Sequence, residues 1–121
     1  MNTALWIVQG FLAVTFAYSG WMKSTQTIPK LVAIGQTGVA DLTLPLVRFI
    51  GVSELLGAVG LILPELTGIL TQLTSVSALC LGLIMLPAAV IHHKRREPKT
   101  VWLVNVPIFL LCLLVAYGRS V

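Results

Sequence analysis

Glu54 is the residue of this chain with the clearest capacity for chemistry, because it is the single acid inside the apolar run from Leu46 to Leu63. An acidic side chain near the middle of such a run, placed in a bilayer, costs at least ~2.5 kcal/mol on insertion scales. It is therefore expected to face other helices, with hydrogen-bond partners, and to stay protonated unless a cation lies close. Two roles stand open for it. It is either a polar or proton-handling group in a cavity between helices, or a protonated clamp joining two of them. Counting inward along the apolar runs, Thr15 and Tyr18 come near its level, and Asn105 lies about a turn further toward the loop end. Gln9 falls in the opposite half. Convergence of these side chains on Glu54 would favour a cavity; taken singly, each reads as an interhelical hydrogen-bonding residue.

Other reactive residue types carry weaker signals. Arg48 lies about a turn and a half from Glu54 and is expected to snorkel to the interface, with an ion pair to Glu54 left open. Cys80 and Cys112 form no CxxC pair, yet their similar depth would let them approach. With no charge nearby to favour a thiolate, they are read as inert packing residues rather than a quinone-coupled dithiol. His92 and His93 are adjacent, a poor chelating geometry on a helix, so no metal site is expected. Trp6, Trp21 and Trp102 sit where an aromatic belt belongs. Pro87 and Pro107 fall inside apolar runs and should kink them.

The elements that must position these residues follow from composition. Of 121 residues, 57% are hydrophobic and 10% charged, against about 25% charged in a soluble domain. Such a chain cannot cover its own surface with polar groups, and lipid is the solvent it suits. The formal charge of +4 does not point to nucleic acid, because the basic residues cluster at the ends of apolar runs. The runs predict four membrane helices, approximately 4–22, 46–63, 67–91 and 101–118, in one all-α transmembrane domain spanning residues 1–121. The second is expected to end at Pro64-Glu65 and the third at the basic tract His92 to Lys99. The start Met1-Asn2-Thr3-Ala4 has no basic region, and Gly20-Trp21-Met22-Lys23 is no small-x-small cleavage site, so the first run reads as a retained helix.

A few residues join the second and third helices, predicting a tight antiparallel hairpin. Thr27-Ile28-Pro29 and Thr43-Leu44-Pro45 carry helix-start signals; between them Lys30 to Ile34 reads as either a short interfacial helix or a loop. The first and third loops hold Lys23, Lys30, Lys94, Arg95, Arg96 and Lys99, with Arg48 close by. The basic bias predicts that segments 23–45 and 92–100 are cytoplasmic and both termini outside, with a bacterial inner membrane as the expected location. Small-residue stripes mark packing faces: Gly10, Ala13, Ala17 and Gly20 in the first helix, and Ser53 with Gly57 and Glu54 with Ala58 in the second. In the third, Gly68, Gln72, Ser75, Leu79 and Gly82 form the stripe. These stripes, with a Leu-rich face on the fourth helix, predict a homodimer or larger oligomer.

Three segments resemble the DoxX-like membrane protein family. Tyr18-Ser19-Gly20-Trp21-Met22-Lys23 is similar to that family's first-helix ending, small-Gly-x-x-Lys. Glu54-Leu55-Leu56-Gly57-Ala58-Val59-Gly60-Leu61-Ile62-Leu63-Pro64 resembles its second-helix signature. Met85-Leu86-Pro87-Ala88-Ala89-Val90-Ile91-His92 resembles its third-helix ending. The resemblance implies a four-helix membrane bundle in which Lys23, Glu54 and His92 are the recurrent polar positions. Members include the small-subunit type found with thiosulfate:quinone oxidoreductase, proteins linked to redox stress complexes, and relatives of the acetylcholine-receptor chaperone, with no shared reaction.

The sequence has no second buried acid, flavin fingerprint or nucleotide loop, so independent catalysis is not expected. Two functions are carried forward. One is a non-enzymatic accessory or assembly module for a membrane redox complex or a client membrane protein. The other is a subunit that binds quinone or lipid in a pocket formed by Glu54, Tyr18, Thr15, Asn105, Lys23 and His92. A transporter is disfavoured, since no inverted repeat is visible.

Overall fold

A computed structural model describes residues 2–120, and every regular element in that range is helical. Helix α1 runs Asn2–Thr25, the short α2 Ile28–Ala33, α3 Leu44–Thr67, α4 Gln72–Lys94 and α5 Pro98–Ser120. α1, α3, α4 and α5 are long and apolar enough to cross a membrane. In lipid each must satisfy its backbone internally, so their apolar composition dictates helix regardless of the many β-branched residues. The chain is an all-α, four-span membrane bundle. The long helices form a ring in which α1 packs on α3, α3 on α4, α4 on α5 and α5 back on α1. The α1–α3 seam is the most extensive and the α5–α1 seam the least. At the centre lie Leu12, Phe16, Ala58, Leu61, Leu81 and Val115, with Met85 and Cys112 beside them.

Glycines set the closest approaches. A Cβ on Gly20 would stand 2.6 Å from the Gly51 carbonyl oxygen, and one on Gly51 2.8 Å from that of Gly20. α1 and α3 therefore cross backbone to backbone at this pair. α4 closes on α3 where Leu81 fills the space over Gly57 and Ser77 sits directly on Gly60. Gly10, by contrast, has open space around it, so the expected α1 stripe packs at Ala13, Ala17 and Gly20 but not at its Gly10 end. The expected α4 stripe is also displaced. Leu79 is exposed and Gly68 precedes the helix, while Thr74, Ala78, Leu81, Gly82 and Met85 form the buried face. α4 is apolar all round, so hydrophobicity could not distinguish one face from another.

Helix ends differ from expectation where proline was read as a stop. Pro64 lies inside α3, which continues to Thr67 and closes at Gly68 (φ +71°), whose N–H donates to the Pro64 carbonyl at 2.9 Å. A proline in the last turn removes only one bond, which does not end a helix in this setting. The turn then occupies residues 68–71, with Leu70 at φ +52°, so the third span starts at Gln72 rather than 67. In α5 the stretch Val101–Asn105 is π-helical before the α-helix resumes at Val106. Pro107 has no N–H for the Leu103 carbonyl and its ring crowds that group, and a widened turn relieves the conflict. Pro87 sits within a continuous α4.

The end of the bundle holding residues 26–43 and 95–97 is the basic end. There α2 forms with Thr27 as its cap, the hydroxyl accepting from the Lys30 N–H at 3.3 Å. A 3₁₀ turn, Thr37–Val39, follows. Leu31, Val39 and Val47 bury together, anchoring this segment across the end of the bundle. Arg48 does not simply reach for the interface. Its Nη1 donates to the carbonyls of Lys23 (2.7 Å) and Gln26 (2.6 Å), covering the open C-terminal end of α1. At the terminal end, Gln9 donates to the Leu61 carbonyl at 2.6 Å and accepts from Arg119 Nε at 2.6 Å. Arg119 also donates to Asn2 Oδ1, stands 4.0 Å from Glu65, and lies over the Trp6 ring. This cluster ties α1, α3 and α5 together.

Candidate functional site

The Gly20–Gly51 crossing determines where the polar residues meet. α1 and α3 are antiparallel, so Lys23 lies one turn beyond the crossing toward the basic end and Glu54 one turn beyond it the other way. The two α-carbons are thus separated by about 9 Å along the axes at 1.5 Å per residue. Helical side chains tilt toward their own N-terminus, and in antiparallel partners those tilts point at each other. Lys23 leans inward, Glu54 leans toward the basic end, and Nζ meets Oε1 at 2.7 Å. Glu54 is 1% exposed and Lys23 16%. Glu54 thus faces the interior, with a cation beside it.

None of the partners expected from depth hydrogen-bonds to Glu54. Thr15 Oγ1 donates to its own helix at the Phe11 carbonyl, which satisfies the hydroxyl locally. Tyr18 is 57% exposed and stands at the rim of the cavity. Asn105 is buried, with Nδ2 3.7 Å from Met85 Sδ and Oδ1 unpartnered. Arg48 is occupied with the end of α1 and makes no ion pair with Glu54. The cation is Lys23, a member with Glu54 of the pocket set expected from the sequence.

These residues surround one cavity of about 470 Å³, open on one side, between the basic halves of α1 and α5. Thr15, Tyr18, Lys23, Glu54, His92 and Asn105 all line it. Phe16, Ile84, Met85, Pro87 and Ile108 supply apolar wall, and Gly38, Val39 and Leu42 bound it from the basic end. The space exists because α1 and α5 touch at the terminal end, where Leu5 packs onto Gly118, and are kept apart further down by the cavity. Exposed Tyr18 and Val104 flank this seam, and exposed Gly35 lines the cavity at the basic end.

A hydrogen-bonded strap closes the basic end. His92 Nδ1 lies 2.8 Å from Glu97 Oε1, and Thr37 Oγ1 donates to Glu97 Oε2 at 2.8 Å. An ionised Glu97 only accepts, which makes Nδ1 the protonated ring nitrogen. The hydrogen bond from His92, then that from Thr37, holds the Glu97 carboxyl below its ordinary value of 4.5. The opposite ring edge of His92 packs on Gly38, where a Cβ would stand 3.1 Å from Nε2. Arg95 reaches Asp41 at 3.2 Å. Thr37, Gly38 and Glu97 escape a reading of the sequence, because Glu97 sits in a basic tract that looks like a topology anchor. The signal it did carry is its place five residues after His92, across a helix end.

His93 is exposed and turned from the cavity. Cys80 lies on the outer face of α4 while Cys112 is buried against Gly82, so the two thiols do not approach and both are free. Among the described residues no three of His, Cys, Asp and Glu gather as metal ligands would. The cavity presents apolar walls, one internally neutralised charge pair, and a few polar atoms at fixed positions.

Comparison with curated proteins and with solved structures gives no match. A family model does match, over residues 7–116, which covers the second and third spans, most of the first and last, the Gly20–Gly51 crossing and every polar residue of the cavity. By that match the chain belongs to the DoxX-like family.

Proposed function

We propose that this protein is a membrane-embedded accessory subunit whose interhelical cavity binds a small amphipathic molecule of the quinone or lipid class. The observation that carries this reading is the gathering of Thr15, Tyr18, Lys23, Glu54, His92 and Asn105 around one cavity of about 470 Å³. A helix clamp needs only the Lys23–Glu54 pair and would pack the remaining space, because lipid-embedded interfaces depend on close contact. A cavity of this size is within the range of small-molecule sites, and exposed Tyr18 and Val104 beside it offer a route for a molecule that arrives through the bilayer. The chain supplies binding and orientation for a partner that performs the chemistry, rather than catalysing alone.

The test is retention of a ligand. Native mass spectrometry of the protein released from mild detergent is expected to show a bound small molecule. Ala88 lines the cavity and is half-buried, so Ala88→Trp should fill the space and abolish the adduct while helicity and melting stay near wild type. An adduct that persists in Ala88→Trp places the ligand elsewhere and overturns the proposal. A second reading, an assembly module without a ligand, draws on the outer surface. Leu103, Leu110, Leu113 and Leu114 of α5 are all exposed and form an apolar face for a partner helix or a second copy. Crosslinking through Leu110→Cys tests it.

A further inference from the structure

We infer that the cavity's occupant is an uncharged molecule that donates hydrogen bonds, such as a hydroquinone, rather than one that only accepts them, such as an oxidised quinone. The inference rests on the binding reading above and narrows its ligand. Glu54 is 1% exposed, and while Lys23 takes Oε1 at 2.7 Å, Oε2 has no partner. Across the cavity on α5, Asn105 is 4% exposed, and its Oδ1 is likewise unpartnered. An ionised carboxylate and an amide oxygen can only accept. Both belong to residues that line the cavity and have no protein donor in reach, so an occupant that donates would supply what the bundle does not, where an unpaired acceptor is strongly disfavoured.

Charge narrows the class further. Lys23 and Glu54 neutralise each other, so an anion would compete with Glu54 for Lys23 and a cation would compete with Lys23 for Glu54. A neutral ligand disturbs neither. An oxidised quinone could accept a second Nζ hydrogen from Lys23, yet it would leave Glu54 Oε2 and Asn105 Oδ1 bare. A hydroquinone hydroxyl, or the free hydroxyl of a neutral lipid, supplies the missing donor while its apolar body lies against Phe16, Ile84 and Ile108.

The experiment compares isosteric probes on the full chain in nanodiscs under anaerobic conditions. A short-chain hydroquinone, its oxidised quinone and its dimethyl ether are titrated by native mass spectrometry. Binding is counted as the part that Ala88→Trp removes. Diacylglycerol against its acetylated triester forms a parallel arm for a lipid source. The expected result is a preference of about tenfold or more for the hydroxyl-bearing member of one pair, the ratio associated with a hydrogen bond to a charged group. Asn105→Leu should reduce that preference without abolishing binding. Equal affinity for donor and non-donor members overturns the inference and leaves the binding reading intact. Absence of Ala88-dependent binding for every probe overturns both.

Discussion

Lys23 and Glu54 differ in how much each depends on the other. Removing the lysine leaves a carboxylate that is 1% exposed without its cation, whereas replacing both leaves only a packing problem. Lys23→Met is therefore expected to destabilise the bundle by roughly 3–5 kcal/mol, the range for breaking a buried pair from one side. The double variant Lys23→Met/Glu54→Leu should lose less than the sum of the single losses. Unfolding midpoints in a common detergent provide the cycle, and strictly additive losses would remove the pair from the account. Glu54 was legible in the sequence because an acid alone in an apolar run has few places to go. Lys23 was expected in the same pocket, but its pairing with Glu54 was not, because it depends on the antiparallel tilt at the glycine crossing. The cysteines make a second prediction at this scale. Cys80, exposed on α4, should react with a membrane-permeant maleimide, while Cys112, fully buried, should stay unmodified in the folded protein. A double Ala variant should retain the bound ligand, and its loss from a folded variant would restore a redox role for the thiols.

Helices bring the site together only if they cross where they do. The contacts a Cβ at position 20 would meet include the Gly51 carbonyl at 2.6 Å and the Leu55 nitrogen at 2.9 Å, both backbone. Gly20→Ala should therefore force α1 and α3 apart, weakening the Lys23–Glu54 pair and reducing ligand retention. Gly10→Ala, with nothing within 4 Å, is the control and should be neutral. Matching losses in the two variants would mean that the crossing does not position the site. The four spans were readable because lipid leaves an apolar run no alternative to helix. Pro64 misled because a proline signals an end only where the lost bond is not tolerated, and the face of α4 was undetermined because that helix is apolar all round. The strap from 27 to 43 also makes a pH prediction. Glu97 is held below 4.5 by His92 and Thr37, so its contribution to closing the basic end is fully present above that value and is lost as pH falls through the lower folded value. Hydrogen exchange in residues 27–43 should stay constant from about pH 8 to about pH 5, after correction for intrinsic rates, and accelerate only in more acidic solution. Glu97→Gln should remove that acid-dependent step. A transition near neutrality that survives Glu97→Gln would shift the control to another group.

At the scale of the whole molecule, only between 22% and 28% of each span is buried within the bundle. The rest must meet lipid or another protein, and the ends of the bundle determine how it sits in the membrane. Lys30, Lys94, Arg95, Arg96 and Lys99 gather at the basic end. The terminal end has Arg119, but that guanidinium is engaged with Gln9 and Asn2 and stands over Trp6. It serves the bundle's interior more than the surface, which sharpens the asymmetry beyond the residue count. Basic segments are retained on the cytoplasmic side during insertion, so the basic end is expected to face the cytoplasm and both termini the outside. The cavity and its strap would then lie in the cytoplasmic half. Single cysteines test this on a background lacking Cys80 and Cys112. Ile69 is exposed in the α3–α4 turn, and Ile69→Cys should be labelled in intact cells by an impermeant maleimide. Lys30→Cys and Lys94→Cys, also at exposed positions, should be labelled only after permeabilisation. The opposite pattern would invert the protein and place the strap outside. Adding two lysines to the 68–71 turn provides an independent check on the cause. If basic bias sets the orientation, they should produce a mixed population in which both sets of positions label.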